Sequence, residues 1–274
     1  MKTILVPTDY SEAADNALQY AIQLAKLSHT KIILLHVYQQ PIPLGDVPMV
    51  FISPAEITEA EEAHIHKLRE TVLAAAPGEI VVETVTRTGF VREQIIAIAE
   101  EYKADLIVMG MTGSNVDVVR MMGNITTGVF KKTGIPVLVI PKSAKYHQIK
   151  RIALAHDRKT ELPPEALQSI KFFTTLFGAE LIVVNVADPL EFGSEEGLKT
   201  ISEIETSLDG EPRSILIDEE ESVAEGIDAF VEEEHCDWLV MIPHRHRSPS
   251  DLFHQSATKQ IAFKTSVPLL AIHD

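Results

Sequence analysis

The chain has one cysteine, Cys236, in 274 residues, and one tryptophan. A lone thiol excludes an internal disulfide framework and fits a reducing compartment. Cys236 reads more naturally as a small buried apolar residue than as a reactive thiol. Basic residues are also scarce, 24 Lys+Arg against 40 Asp+Glu, for a net charge of −16. A field of that sign repels phosphate backbones and anionic lipid headgroups, although a local basic patch can still hold one anion. No apolar run approaches the ~20 residues that a bilayer span needs. The opening "MKTILVPTDY" has too short an apolar run for a secretory signal. The expectation is a cytoplasmic protein with no nucleic-acid partner and no membrane partner.

What is present is a regular alternation of strand and helix. Thr3–Val6 is apolar, and Ala14, Leu18, Ala21, Ile22 and Ala25 then recur at helical spacing from about Ser11 to Leu27. "KIILLHVY", Lys31–Tyr38, is a continuous apolar strand, as expected where both faces are covered. After a Pro-rich connection, Ser53-Pro54-Ala55-Glu56 supplies an N-cap, a proline at the first helical position and a capping-box acid. That helix should end near Ala76, before Pro77-Gly78. "IVVETVTRTG", "ADLIVMG" and "PVLVIP" are further strands, with helices at "VREQIIAIAEEY" and about Asn124–Lys132. The pattern predicts an α/β fold, a mostly parallel, open sheet with helices on both faces.

At Lys150 the pattern begins again. "KRIALAHDR" matches the N-terminus, "AELIVVNVADP" matches "TKIILLHVYQQP", "EEEHCDWLVMIPHR" matches "AEEYKADLIVMGMT", and "TSVPLLAIHD" matches "TGIPVLVIPK". A repeat of about half the chain is a duplicated domain, not a solenoid. The expected domains are 1–142 and 149–274, joined by a linker at Lys142–Gln148.

The first copy carries "GMTGSNVDVVRMMGN" after its fourth strand, with Gly110, Gly113 and Gly123 spaced G-x2-G-x9-G. Ligands of open parallel sheets bind beyond the carboxyl ends of the strands, where the chain order reverses. Glycines let the backbone approach a ligand, and a helix starting near Asn124 would aim free N–H groups into the same space. A phosphate chain fits there. The Asp9 carboxylate, repelled by phosphate, suits a ribose hydroxyl, and main-chain groups at Val37 suit the edge of a base. The constellation reads as a nucleotide site, although it is neither a Walker-type loop nor a G-x-G-x-x-G fingerprint. Any one of these glycines could merely make a turn. Arg120, within the loop, could reach a phosphate or sit exposed.

These features resemble the universal stress protein family in its tandem-domain form, whose signature is G-x2-G-x9-G-[ST] and whose last strand is of "PVLVV" type. The resemblance covers essentially the whole chain, more strongly over Met1–Lys142. It implies two tandem five-stranded sheets, Rossmann-like, paired as an intramolecular pseudo-dimer through the terminal strands; association of two chains into a homodimer is left open. It also implies ATP as the ligand, with or without Mg2+. Pro7, Thr8 and Asp9 would meet base and ribose, and Val37 the adenine through its backbone. Met109, Gly110, Gly113, Gly123, Asn124, Ile125 and Thr126 would complete the site around the phosphates. Asn124 stands where the family has Ser or Thr, which lowers the expectation of autophosphorylation and leaves Thr126 and Thr127 as nearby hydroxyls.

In the second copy the loop keeps its length but not its glycines: Pro243, His246 and Ser256 replace Gly110, Gly113 and Gly123. Poor or absent ATP binding is expected there. His156, Asp157, His244 and His246 could approach one another in zinc-compatible fashion. Solvated loop residues are the favoured reading, since Arg245 and Arg247 oppose a cation, and no metal is assigned. His64 and His66, two apart on a helix, read as surface residues, and Glu59–Glu62 as a solvated acidic turn. The expected function is that of an ATP-binding stress-response regulatory protein, whose occupancy sets a conformation or a partner, with little or no catalysis: only Asp9, Arg120 and Thr126 offer chemistry. The alternatives are a weak ATPase or nucleotidyl-transfer enzyme of the same fold, and a nucleotide-independent interaction module.

Overall fold

Consecutive side chains of a strand point to opposite faces, so an unbroken apolar run is stable only when both faces are covered. The computed structural model, which describes residues 1–39, 53–111, 125–126, 128–156, 162–187, 213–218, 223–242 and 265–272, turns every such run into a strand. The first copy supplies β1 (Thr3–Thr8), β2 (Lys31–Tyr38), β3 (Val82–Thr88), β4 (Leu106–Met111) and β5 (Val137–Pro141). The second supplies β6 (Arg151–His156), β7 (Glu180–Ala187), β8 (Arg213–Asp218), β9 (Trp238–Met241) and β10 (Leu269–Ala271). The helices are α1 (Glu12–Ser28), α2 (Pro54–Ala75), α3 (Val91–Glu101), α4 (Pro164–Phe177) and α5 (Val223–Glu233). Residues 125–126 and 128–132 are helical too. Ile4, Leu5, Val6 and Ile32–Leu35 are all fully buried, so helices or loops cover both faces of these strands.

The chain divides into two compact units, Met1–Gly110 and Met111–Asp274. In the first, the strand order is β3-β2-β1-β4 and every pair is parallel. The chain runs from β1 outward to β3 and then returns to the other side of β1. The order therefore reverses between β1 and β4, which is where a ligand crevice forms in open sheets. In the second unit the order is β5-β10-β9-β6-β7-β8. All its pairs are parallel except β5 with β10, whose register sets Leu269 opposite Val139 and Ala271 opposite Val137. The division falls inside the first sequence copy because β5 has its antiparallel partner in the second unit.

Local signals explain the element ends. Ser11 caps α1 by accepting from Ala14 N–H, and His29 ends it in the left-handed region with its N–H on Ala25 O. At α2 the reciprocal capping box is complete: Glu56 N–H donates to Ser53 Oγ at 3.2 Å, and Ser53 N–H to Glu56 Oε2 at 2.7 Å. Both copies repeat one further device. Asp105 Oδ2 accepts from Lys2 N–H at 2.6 Å and Thr3 N–H at 2.9 Å, fastening the start of β1 to that of β4. Asp237 Oδ2 does the same for Lys150 and Arg151, at 2.6 and 2.9 Å. In the second unit Trp238 is fully buried, with Phe173 and Phe177 5.2 and 5.1 Å from its ring.

Candidate functional site

The site begins with the turn that carries the chain from β1 into α1. Three short polar side chains fix it. Thr8 Oγ1 accepts from Tyr10 N–H at 3.0 Å, Asp9 Oδ1 from Ser11 N–H at 3.1 Å, and Ser11 Oγ from Ala14 N–H at 3.2 Å. Tyr10 takes a left-handed backbone, φ 61°, to make this possible. Thr8 is buried and Asp9 exposed. The carboxylate is thus presented at the mouth of the sheet on a backbone that its own side chains hold rigid.

At β2 the ladder determines what the backbone offers. Lys31 N–H donates to Lys2 O on the β1 side, whereas Ile32 N–H donates to Val81 O on the β3 side. By that alternation the N–H and C=O of Val37 face the β1 side. The β1 register ends at Thr8 opposite His36, and Tyr10 N–H, the next donor in line, is turned back onto Thr8 Oγ1. The ladder therefore stops with the Val37 carbonyl beyond its last paired rung. This is the main-chain acceptor a base edge needs.

Gly110, near the end of β4, has a reason to be glycine that the sequence does not show. A Cβ there would lie 2.2 Å from the carbonyl oxygen of Ala13 and 2.5 Å from its carbon. The missing side chain lets β4 close against the first turn of α1. It sets the distance between the strand end and the Thr8–Ser11 turn.

Residues 1–141 match the universal stress protein family, and residues 148–273 match it again. The chain belongs to the universal stress protein family. A universal stress protein of Methanocaldococcus jannaschii is 29% identical over 154 residues, which cover 52% of this chain and 95% of the relative. One from Synechocystis is 33% identical over 141 residues, covering 51% and 85%. The solved structure of a universal stress protein from Archaeoglobus fulgidus aligns over 99% of this chain and 96% of its own, with a TM-score of 0.72 at 20% identity. The α/β fold expected from the alternating pattern, in its tandem form, is thereby the fold of this protein.

Of the residues that resemblance to the universal stress proteins singles out, Pro7, Thr8, Asp9, Val37, Met109 and Gly110 stand at the carboxyl ends of the adjacent strands β1, β2 and β4. Met109 is buried. Gly113, Gly123 and Asn124 lie outside the described residues, as do Arg120 and Thr127. Ile125 and Thr126 are the first described helical residues of the second unit, and Thr126 is buried. In the second copy His156 occupies the end of β6, buried, at the register position that Thr8 holds on β1. Asp157, His244 and His246 are outside the described residues, and no group of three metal-binding side chains occurs among the described ones. No described helix is long and apolar enough to cross a membrane.

One sequence reading needs correction, and a second gains a contact. Glu61 is not part of a solvated turn: it lies within α2, and its Oε2 is 3.3 Å from Nε2 of the buried His36. His64 is exposed, as read, and its ring stacks on Tyr10 with centroids 4.0 Å apart and planes 8° from parallel. Tyr10 also leans on His36 at 4.5 Å. Burial and the Glu61 charge push the Tyr10 phenol up to about 12, so it stays protonated. These groups join α2 to the strand ends of the site. Glu61 and His64, three apart, share one helix face, and "LLHVY" places a histidine one residue before Val37. Those two spacings were the available signal.

Proposed function

We propose that this universal stress protein is a cytoplasmic adenine-nucleotide-binding regulator that takes ATP in its first copy alone and turns it over slowly or not at all. The observation that carries the reading is the Val37 carbonyl left beyond the last rung of the β1–β2 ladder, next to the rigidly presented Asp9 carboxylate. One group suits the amino edge of adenine and the other a ribose hydroxyl. The glycine loop Gly110–Gly123, with Asn124, Ile125 and Thr126 at the following helix start, would then receive the phosphates, with or without Mg2+. The second copy has neither the glycines nor a threonine at the end of β6, where His156 stands. Pairing of the two copies through β5 and β10 would make the chain its own dimer, a reading that the antiparallel register of these strands supports.

Calorimetric titration with ATP tests this. One site per chain is expected, abolished by Gly113→Val and retained when the second-copy loop residue His246 is changed to Ala. No heat of binding at millimolar ATP would leave the interaction module as the better reading. Steady-state phosphate release near one per second would instead favour the enzyme.

A further inference from the structure

His36 stands between α2 and the nucleotide site, and its two nitrogens have unusual partners. Nδ1 is 2.8 Å from the carbonyl oxygen of Thr8, and Nε2 is 3.3 Å from Oε2 of Glu61. A carbonyl oxygen can only accept, and so can an ionised carboxylate. A neutral imidazole has one donor and one acceptor. It must therefore turn a lone pair toward one of these oxygens. Only the imidazolium, with a proton on each nitrogen, satisfies both contacts. The ring is buried, and it is flanked by Tyr10 at 4.5 Å and Tyr38 at 6.3 Å. The titratable groups that face the cluster are Glu61 and, across the Tyr10 ring, His64 from α2, with Tyr10 from the β1–α1 turn and Tyr38 from β2.

We propose that His36 is a positioning residue for the nucleotide site: as an imidazolium it braces α2, through Glu61, against the Thr8 carbonyl. The brace ends on the residue whose neighbours present the ligand groups, Asp9 on one side and, one step along β2, Val37. Loss of the His36 proton breaks one end of it, because Nε2 then opposes the Glu61 carboxylate. The turn is freed at the Thr8 carbonyl or α2 is freed at Glu61. The brace therefore makes nucleotide affinity fall as the ring loses its second proton. The second copy lacks it, since the register position of His36 on β7 is Asn185. This role rests on the proposed nucleotide site.

The test measures ATP dissociation constants by calorimetry from pH 5.5 to 8.5 for the wild-type protein, Glu61→Gln and His36→Gln. Comparison at each pH cancels the titration of ATP itself. In Glu61→Gln the amide can donate to a neutral Nε2 while Nδ1–H still donates to Thr8. That variant should keep tight binding at high pH, at least about threefold tighter than wild type at pH 8.5 and within about twofold of it at pH 5.5, the scale of one charge-assisted hydrogen bond partly lost. His36→Gln should bind more weakly at low pH and follow only the ligand's own titration. Nitrogen NMR of the wild-type imidazole should show both ring nitrogens protonated at pH 5.5. Identical pH profiles for wild type and Glu61→Gln, or a single protonated nitrogen at pH 5.5, would overturn the brace while the nucleotide site stands. Absence of binding by all three proteins at every pH overturns the site, and this role with it.

Discussion

Gly110→Ala is the substitution on which the geometry speaks most sharply. The added Cβ would stand 2.2 Å from Ala13 O and 2.5 Å from Ala13 C, both backbone atoms. Comfortable contact requires a retreat of about 1 Å, and no side-chain rotation can supply it. The start of α1 resists, because Asp15 N–H is held by Ser11 O and Ser11 N–H by Asp9. On the other side, β4 is held by its register with β1 at Ile4–Leu106 and Leu5–Ile107. Overpacking by one methyl group in a well-packed interior costs about 1–3 kcal/mol, and with backbone on both sides we expect about 3 kcal/mol.

Gly78→Ala supplies the comparison. Gly78 has φ +76° and nothing within 4 Å of a built Cβ, so alanine there meets backbone strain alone, about 1 kcal/mol. Urea unfolding followed by far-ultraviolet circular dichroism measures both. If Gly110→Ala proves no more destabilising than Gly78→Ala, the close approach of β4 to α1 is not what makes position 110 glycine.

The remaining predictions concern single side chains. The Tyr10 hydroxyl oxygen is buried with no hydrogen-bond partner among the described residues, so Tyr10→Phe should leave stability unchanged or raise it by up to about 1 kcal/mol; a clear loss in thermal or urea unfolding would reveal a partner. Burial, more than the neighbouring Glu234, pushes the Cys236 thiol up to about 11, so iodoacetamide at pH 8 should alkylate it only after denaturation, read by intact mass. The Ser53 amide and hydroxyl hold the Glu56 carboxyl below its usual range. Its contribution to α2 is therefore complete above the unfolded carboxylate value of about 4.3 and is lost as pH falls through the lowered one. Glu56→Gln should flatten the acid side of a circular-dichroism pH titration of helix content, and an unaltered acid limb would contradict the capping box.

Which parts of this molecule could be read in advance depends on whether the cause is local. The capping box of α2 was legible because Ser53, Pro54 and Glu56 act within one turn of chain. The strands were legible because an apolar run such as Ile32–Leu35 states its own burial on both faces. Thr8, Asp9 and Val37 were legible as strand ends, since loops after parallel strands gather at one edge of the sheet. Gly110 was legible as the first glycine of the loop after β4, but its close approach to Ala13, almost a hundred residues away, was not, and spacing carries no record of that contact. Glu61 was misread for the same reason, and the ring contact of the exposed His64 was missed. On α2 they look like any polar pair on an exposed helix. Only the packing of α2 on β2 delivers them to His36 and Tyr10.

The two copies show where the fold tolerates change. At the amino ends of the strands they are nearly superimposable in their bonding: Asp105 and Asp237 each fasten two successive amides at the same distances. Lys103 and His235 take the same left-handed turn before them, at φ 49° and 51°. At the carboxyl ends the copies part. Thr8 is answered by His156, His36 by Asn185, and the three glycines by Pro243, His246 and Ser256. The amino-end bonds close the sheet and are needed by any sequence that adopts it. Groups at the carboxyl ends, Gly110 with its close approach to Ala13 aside, are the ones an open parallel sheet offers to a ligand. A duplicated domain that keeps the first set and replaces the second has kept its architecture while changing the groups at that edge. On the proposed function, the inequality of the two halves is one of sites on one scaffold, and ligand stoichiometry, not stability, is the property in which it should appear.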